Sequence, residues 1–132
     1  MPDPTLFCMT ATTFTPSGEL DEPTFRQFLR RIIDCKIGLY LGSGGSGEGH
    51  ALTHDEMRRV YEIGAEECRG NVPFHANPPE RHTARDTYVL AKIAADAGIE
   101  VVHIYTLAGW HGMKPTPAEL DAYYDDVLGK LD

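Results

Sequence analysis

Between Ile37 and Glu56 the chain passes from a nearly all-apolar run, residues 37–41, into a glycine-rich turn and then into Thr53-His-Asp-Glu56. A short apolar run bounded by turn residues reads as a strand covered on both faces. Thr-x-x-Glu ahead of an apolar pattern of helical period is a capping box, which opens a helix. Such a strand needs helices to cover it, so this stretch commits the chain to strand–turn–helix units.

The same rhythm recurs along the chain. Residues 6–13 are apolar and β-branched and are expected to form a first strand. Thr15-Pro-Ser-Gly18 is a turn by composition, and Asp21 caps a helix with Glu22 and Pro23 in its first turn. Phe25, Phe28, Leu29, Ile32 and Ile33 form one apolar stripe on that helix. The helix after the glycine turn is expected to reach Cys68, with Met57, Val60, Tyr61, Gly64 and Ala65 facing inward. A third strand is expected at 72–76, a third helix at 83–97 and a fourth strand at 101–105. A longer loop, 106–115, carries Trp110 and His111. Thr116-Pro-Ala-Glu119 then opens a fourth helix with Leu120, Tyr123, Tyr124, Val127 and Leu128 on its apolar face. Repeated strand–helix order with apolar strands implies parallel pairing through right-handed crossovers.

Composition narrows the partners. With 132 residues the chain is expected to be a single domain over residues 1–132, and its net charge of −8 argues against nucleic acid. No apolar run is long enough to span a bilayer, so no membrane partner is expected. The start, Met1-Pro-Asp-Pro, lacks the basic and apolar regions of a signal peptide. Cys8, Cys35 and Cys68 lack metal-type spacing and are read as reduced thiols of a cytoplasmic protein.

The run Gly44-Gly45-Ser46-Gly47-Glu48, followed by Leu52-Thr53-His54-Asp55-Glu56, resembles the signature of the dihydrodipicolinate synthase/N-acetylneuraminate lyase family of class I, pyruvate-dependent aldolases. Thr12-Thr13-Phe14 and Gly18-Glu-Leu-Asp21 extend the likeness. The resemblance implies α/β architecture: the N-terminal half of a (β/α)8 TIM barrel, about four βα units with parallel strands. A complete barrel takes about 250 residues, so this length supplies about half. A half-barrel alone leaves two strand edges and an apolar inner face.

Active sites of such barrels lie at the C-terminal ends of the strands, here Thr12–Thr13, Ser43–Glu48, His75–Asn77 and Tyr105–His111. By resemblance, Ser46 is the hydroxyl residue that holds the carboxylate of a 2-oxo acid, with Gly45 and Gly47 supplying backbone and Thr12 and Trp110 joining the substrate site. Gly45 stands where the family usually carries a hydroxyl. The loop holding Trp110 and His111 replaces the family's Pro-Tyr-Tyr, which suits a relative acting on another 2-oxo acid, such as a hydratase-aldolase. His111 is a candidate acid or base, since imidazole titrates near neutral pH, with a hydrogen-bonded loop histidine as the competing reading.

The family's Schiff-base lysine and proton-relaying tyrosine belong to strands beyond Asp132. None of Lys36, Lys92, Lys114 and Lys130 sits in a context that suggests the desolvation a lysine nucleophile needs. The expectation is therefore a pyruvate-type lyase or aldolase, needing no cofactor, as a homo-oligomer, with the present segment inactive alone. A non-catalytic half-barrel that binds a small carboxylate or self-associates is the competing reading. Glu48 is expected to pack against backbone donors. His75 and His103 fall on neighbouring strands, and His50 and His111 in loops, but without paired metal-ligand spacing no metal is expected. Gly42-Ser-Gly-Gly-Ser-Gly47 also matches G-x-G-x-x-G. A dinucleotide site, however, needs a helix starting within the glycines, and Glu48 would repel its diphosphate.

Overall fold

The computed structural model describes residues 6–107, 112 and 114–131. Three strands, β1 (Phe7–Met9), β2 (Gly38–Leu41) and β3 (Phe74–Ala76), alternate with helices α1 (Glu22–Asp34), α2 (His54–Cys68) and α3 (Ala84–Asp96). A fourth helix, α4 (Pro117–Leu128), follows. The sheet order is β1-β2-β3, and every pairing is parallel. The strands are thus laid down in sequence, each reached by a crossover helix, as the sequence pattern implies.

The helix starts follow their local chemistry. Asp21 accepts from the Thr24 N–H. Thr53 with Glu56, and Thr116 with Glu119, close complete capping boxes. Thr83 caps α3 by accepting from the Asp86 N–H. Each cap satisfies donors that the first helical turn leaves free.

One face of the sheet makes the core. Leu39, Leu41 and Ala76 are fully buried against Phe25 and Leu29 of α1, Met57, Val60 and Ile63 of α2, and Leu90 and Ala94 of α3. α2 lies close on β2: a Cβ added at Gly64 would stand 2.2 Å from Leu41 Cδ1, so only glycine permits this approach. On α4 the buried positions are Tyr123 and Val127, while Leu128 stays half exposed, so the apolar face is narrower there than its sequence suggests.

The fourth expected strand is reduced to one parallel bridge, Ala76 to Val102. Two backbone bonds hold it: the Ala76 N–H donates to Val101 O and the His103 N–H to Ala76 O, each at 2.9 Å. This segment lies at the sheet edge, with no described strand beyond it to extend the pairing. The first strand is likewise shorter than expected, because past Met9 the chain turns to contact the β2–α2 turn.

Pleating sends Phe7, Met9, Tyr40 and His75 to the opposite face, which carries none of the four helices. There Phe7 stacks on Tyr40 with ring centroids 4.8 Å apart, and His103 meets Tyr40 edge-on, also at 4.8 Å. Met9 and Val101 are exposed on this face.

Candidate active site at the carboxyl ends of the strands

The glycine turn after β2 is held by two buried hydroxyls. Thr12 Oγ1 donates to Gly47 O at 2.7 Å, and Ser43 Oγ accepts the Gly47 N–H at 3.0 Å. The Gly49 N–H donates to Ser43 O at 2.9 Å. Thr12 and Ser43 are 7% and 3% exposed, so both bonds are shielded from competing water. A Cβ on Gly47 would lie 2.9 Å from Ser43 N and 3.1 Å from two carbonyl oxygens. Glycine is required there by close packing against backbone, and both its polar groups are spent on closing the turn.

The outer half of the turn is free. Gly45 and Ser46 are exposed. Among the described residues, their N–H groups have no protein acceptor. Ser46 Oγ lies 4.0 Å from Met9 Sδ, at the end of β1 and on the side of the helix-free face. Two unpaired donors and a hydroxyl on consecutive residues are the chemistry an anion nest uses.

Other expected residues fall differently. Glu48 does not pack against backbone donors: its side chain is exposed, and only its backbone enters the turn, through N–H to Gly45 O at 3.2 Å. It takes a left-handed conformation, φ 54°. His50 donates through Nδ1 to the Gly44 carbonyl, bracing the turn rather than joining His75 and His103. Trp110 and His111 lie outside the described residues. All four lysines are exposed; Lys92 is paired with Asp96 and Lys130 with Asp126. α2 begins at His54, well past the glycines, so no helix end meets the turn where a diphosphate would need one.

The tertiary structure adds residues that sequence reasoning left unassigned. Ser43 is the hinge pin of the turn; a serine accepting from the N–H four residues on is the local signal that could have identified it. Among the described residues, Asn77 Oδ1, 3% exposed at the end of β3, and the Tyr61 hydroxyl under Gly42 are buried without a partner. Burial pushes the Tyr61 phenol well above its ordinary value, and the Cys68 thiol up to about 12, so neither ionises near neutral pH. His75 and His103 are brought within 3.1 Å, Nδ1 to Nε2. Burial, then the neighbouring His103, holds His75 below the ordinary histidine value. Among the described residues no group of three or more His, Cys, Asp or Glu converges on one point.

Parallel βα units in sequence order, with a donor-lined turn at the carboxyl ends of the strands, define part of a TIM barrel. Residues 4–132 match the Dihydrodipicolinate synthetase family, and the chain belongs to that family. It is 31% identical over 122 residues to N-acetylneuraminate lyase of Clostridium perfringens, covering 91% of this chain and 41% of that protein. It is 30% identical over 125 residues to 4-hydroxy-tetrahydrodipicolinate synthase of Exiguobacterium sibiricum, covering 92% of this chain and 40% of that one. Among solved structures, CdNal from Clostridium difficile, in complex with mannosamine, superposes with a TM-score of 0.78 at 26% identity, over 96% of this chain and 43% of that chain. YagE from E. coli K12, in complex with pyruvate, gives a TM-score of 0.82 at 23% identity, over 98% and 42%, a likeness of fold. The chain therefore spans about two fifths of the relatives it matches. Its lyase and synthase relatives make it part of an enzyme family. No described helix is long and apolar enough to cross a membrane.

Proposed function

We propose that this chain supplies the carboxylate-gripping half of a class I aldolase or lyase acting on the C–C bond next to a 2-oxo acid such as pyruvate. The supporting observation is the free outer half of the turn, where the Gly45 and Ser46 N–H groups and the Ser46 hydroxyl stand exposed while Thr12 and Ser43 lock the backbone behind them. A carboxylate is a small planar anion that neighbouring donors of this kind hold well. Backbone donors suit this protein, since its net charge of −8 supplies no general attraction for an acid. Trp110 and His111 are assigned to the substrate side of the same site.

In this reading a lysine amine on a segment outside the chain attacks the keto carbon and water leaves. The resulting imine accepts the electron pair of the breaking C–C bond. No organic cofactor takes part. The four exposed lysines of residues 1–132 are not the nucleophile, because none has the buried setting that keeps an amine neutral. The complete protein is assigned to the cytoplasm as a homo-oligomer.

Borohydride reduction with pyruvate tests the reading. The chain extended to the length of its relatives should retain a covalent adduct on a lysine outside residues 1–132, and residues 1–132 alone should retain none. An adduct on Lys36, Lys92, Lys114 or Lys130 would overturn the assignment.

The helix-free sheet face favours a second reading, a non-catalytic self-associating half-barrel, because Met9 and Val101 are exposed there beside the aromatic cluster. Sedimentation of residues 1–132 separates the two. A stable dimer that still fails to bind pyruvate would favour the second.

A further inference from the structure

The helix-free face carries a pair of side chains that the glycine turn does not use. His75 lies on β3, and His103 follows the single bridge at Val102. Their ring nitrogens, His75 Nδ1 and His103 Nε2, are 3.1 Å apart, and one imidazole donates to the other. A divalent transition metal bonds imidazole at about 2.0–2.1 Å. Two such nitrogens on one metal then stand about 2.9 Å apart at a right angle and about 3.4 Å apart at the tetrahedral angle. The observed separation falls inside that interval.

We infer that His75 and His103 form a two-histidine site for a borderline divalent metal, Zn(II), Ni(II) or Cu(II), with water or a small oxygen ligand in the remaining positions.

Two features prepare the pair. Its backbone is fixed, because Ala76, next to His75, both donates to Val101 O and accepts from the His103 N–H. Its rings are held by aromatic neighbours: Phe7 lies 4.8 Å from His75, and Tyr40 meets His103 edge-on at 4.8 Å. In the metal-free pair one facing nitrogen carries the shared hydrogen. Metal binding moves that hydrogen through solvent to the other nitrogen of the same ring, which frees both facing nitrogens for the metal. Among the described residues no third His, Cys, Asp or Glu joins them, which leaves coordination positions open on this face. The inference does not depend on the 2-oxo acid reading.

Calorimetric titration of the chain with each metal, in a non-chelating buffer at pH 7.5, tests the site. One metal per chain is expected, with affinity falling at least about tenfold in His75→Ala and in His103→Ala, since removing a ligand costs no less than disturbing its supporting partner. The exposed histidines serve as the control: His54→Ala/His82→Ala should bind as the unaltered chain does. Nitrogen NMR of the unaltered chain gives a readout independent of whether the variants fold. Zn(II) should shift His75 Nδ1 and His103 Nε2 together. No binding, binding at another histidine, or undiminished affinity in both folded variants would overturn the inference.

Discussion

Thr12 Oγ1 donates to the Gly47 carbonyl across 35 residues of sequence, tying the chain beyond β1 to the turn beyond β2. This bond and the Ser43–Gly47 bond fix the back of the turn and leave Gly45 and Ser46 to face outward. The free donors at Gly45 and Ser46 are therefore set in place by two buried hydroxyls that lie behind them.

Thr12→Val keeps the side-chain shape and removes the donor. The Gly47 carbonyl is then buried without its partner, which costs about 1–3 kcal/mol. Urea denaturation should show the loss as a lower midpoint. Pyruvate binding should weaken as well, because the turn is no longer clamped.

The two glycines flanking Ser46 should respond oppositely. Gly45→Ala meets nothing within 4 Å and should change stability by less than about 0.5 kcal/mol. Gly47→Ala forces a Cβ to 2.9 Å from Ser43 N and should cost about 1–3 kcal/mol, as overpacking does. Thermal melts of the two variants side by side check the contrast.

Acid stability should depend on Glu67 and Glu22. Hydrogen bonding from Arg30, opposed by burial and reinforced by Arg26, holds Glu67 below the usual carboxylate range. Arg59 does the same for Glu22, again against burial. A carboxylate whose folded value is depressed contributes stability above its unfolded value, near 4.3, and loses it as pH falls through the lower folded value. Unfolding free energy measured from pH 6 down to pH 2 should therefore fall most steeply below about pH 4.3. Glu67→Gln should flatten that fall while lowering stability at pH 6.

Tyr123 joins α4 to the rest. Its hydroxyl lies 3.0 Å from Thr87 Oγ1 on α3 and 3.0 Å from Tyr105 O. Tyr123→Phe keeps the ring buried and loses the link, at about 0.5–1.5 kcal/mol. Hydrogen exchange should then speed up in α4 more than in α1, because the lost link is local to α3 and α4.

Local chemistry made most of the scaffold legible in advance. Asp21, Thr53 and Thr116 cap the helices they precede, as read, since capping depends on residues within three or four positions; Thr83 caps the third helix as well. Parallel pairing followed from apolar strands separated by amphipathic helices, and Ser46 stands at the strand ends where the turn motif placed it. Long-range contacts were not legible. Nothing near Glu48 in sequence says that its side chain stays exposed, that Ser43 and Thr12 consume both polar groups of Gly47, or that the fourth strand shrinks to one bridge. The meeting of His75 with His103, 28 residues apart, exists only because β3 and the segment at Val102 pair in one register. Sequence alone determined the elements and their order, since propensity and capping act over one or two turns of chain. The tertiary structure decided which donors stay free and which rings meet, because those outcomes depend on strand register, and a shift of one residue sends every side chain to the other face.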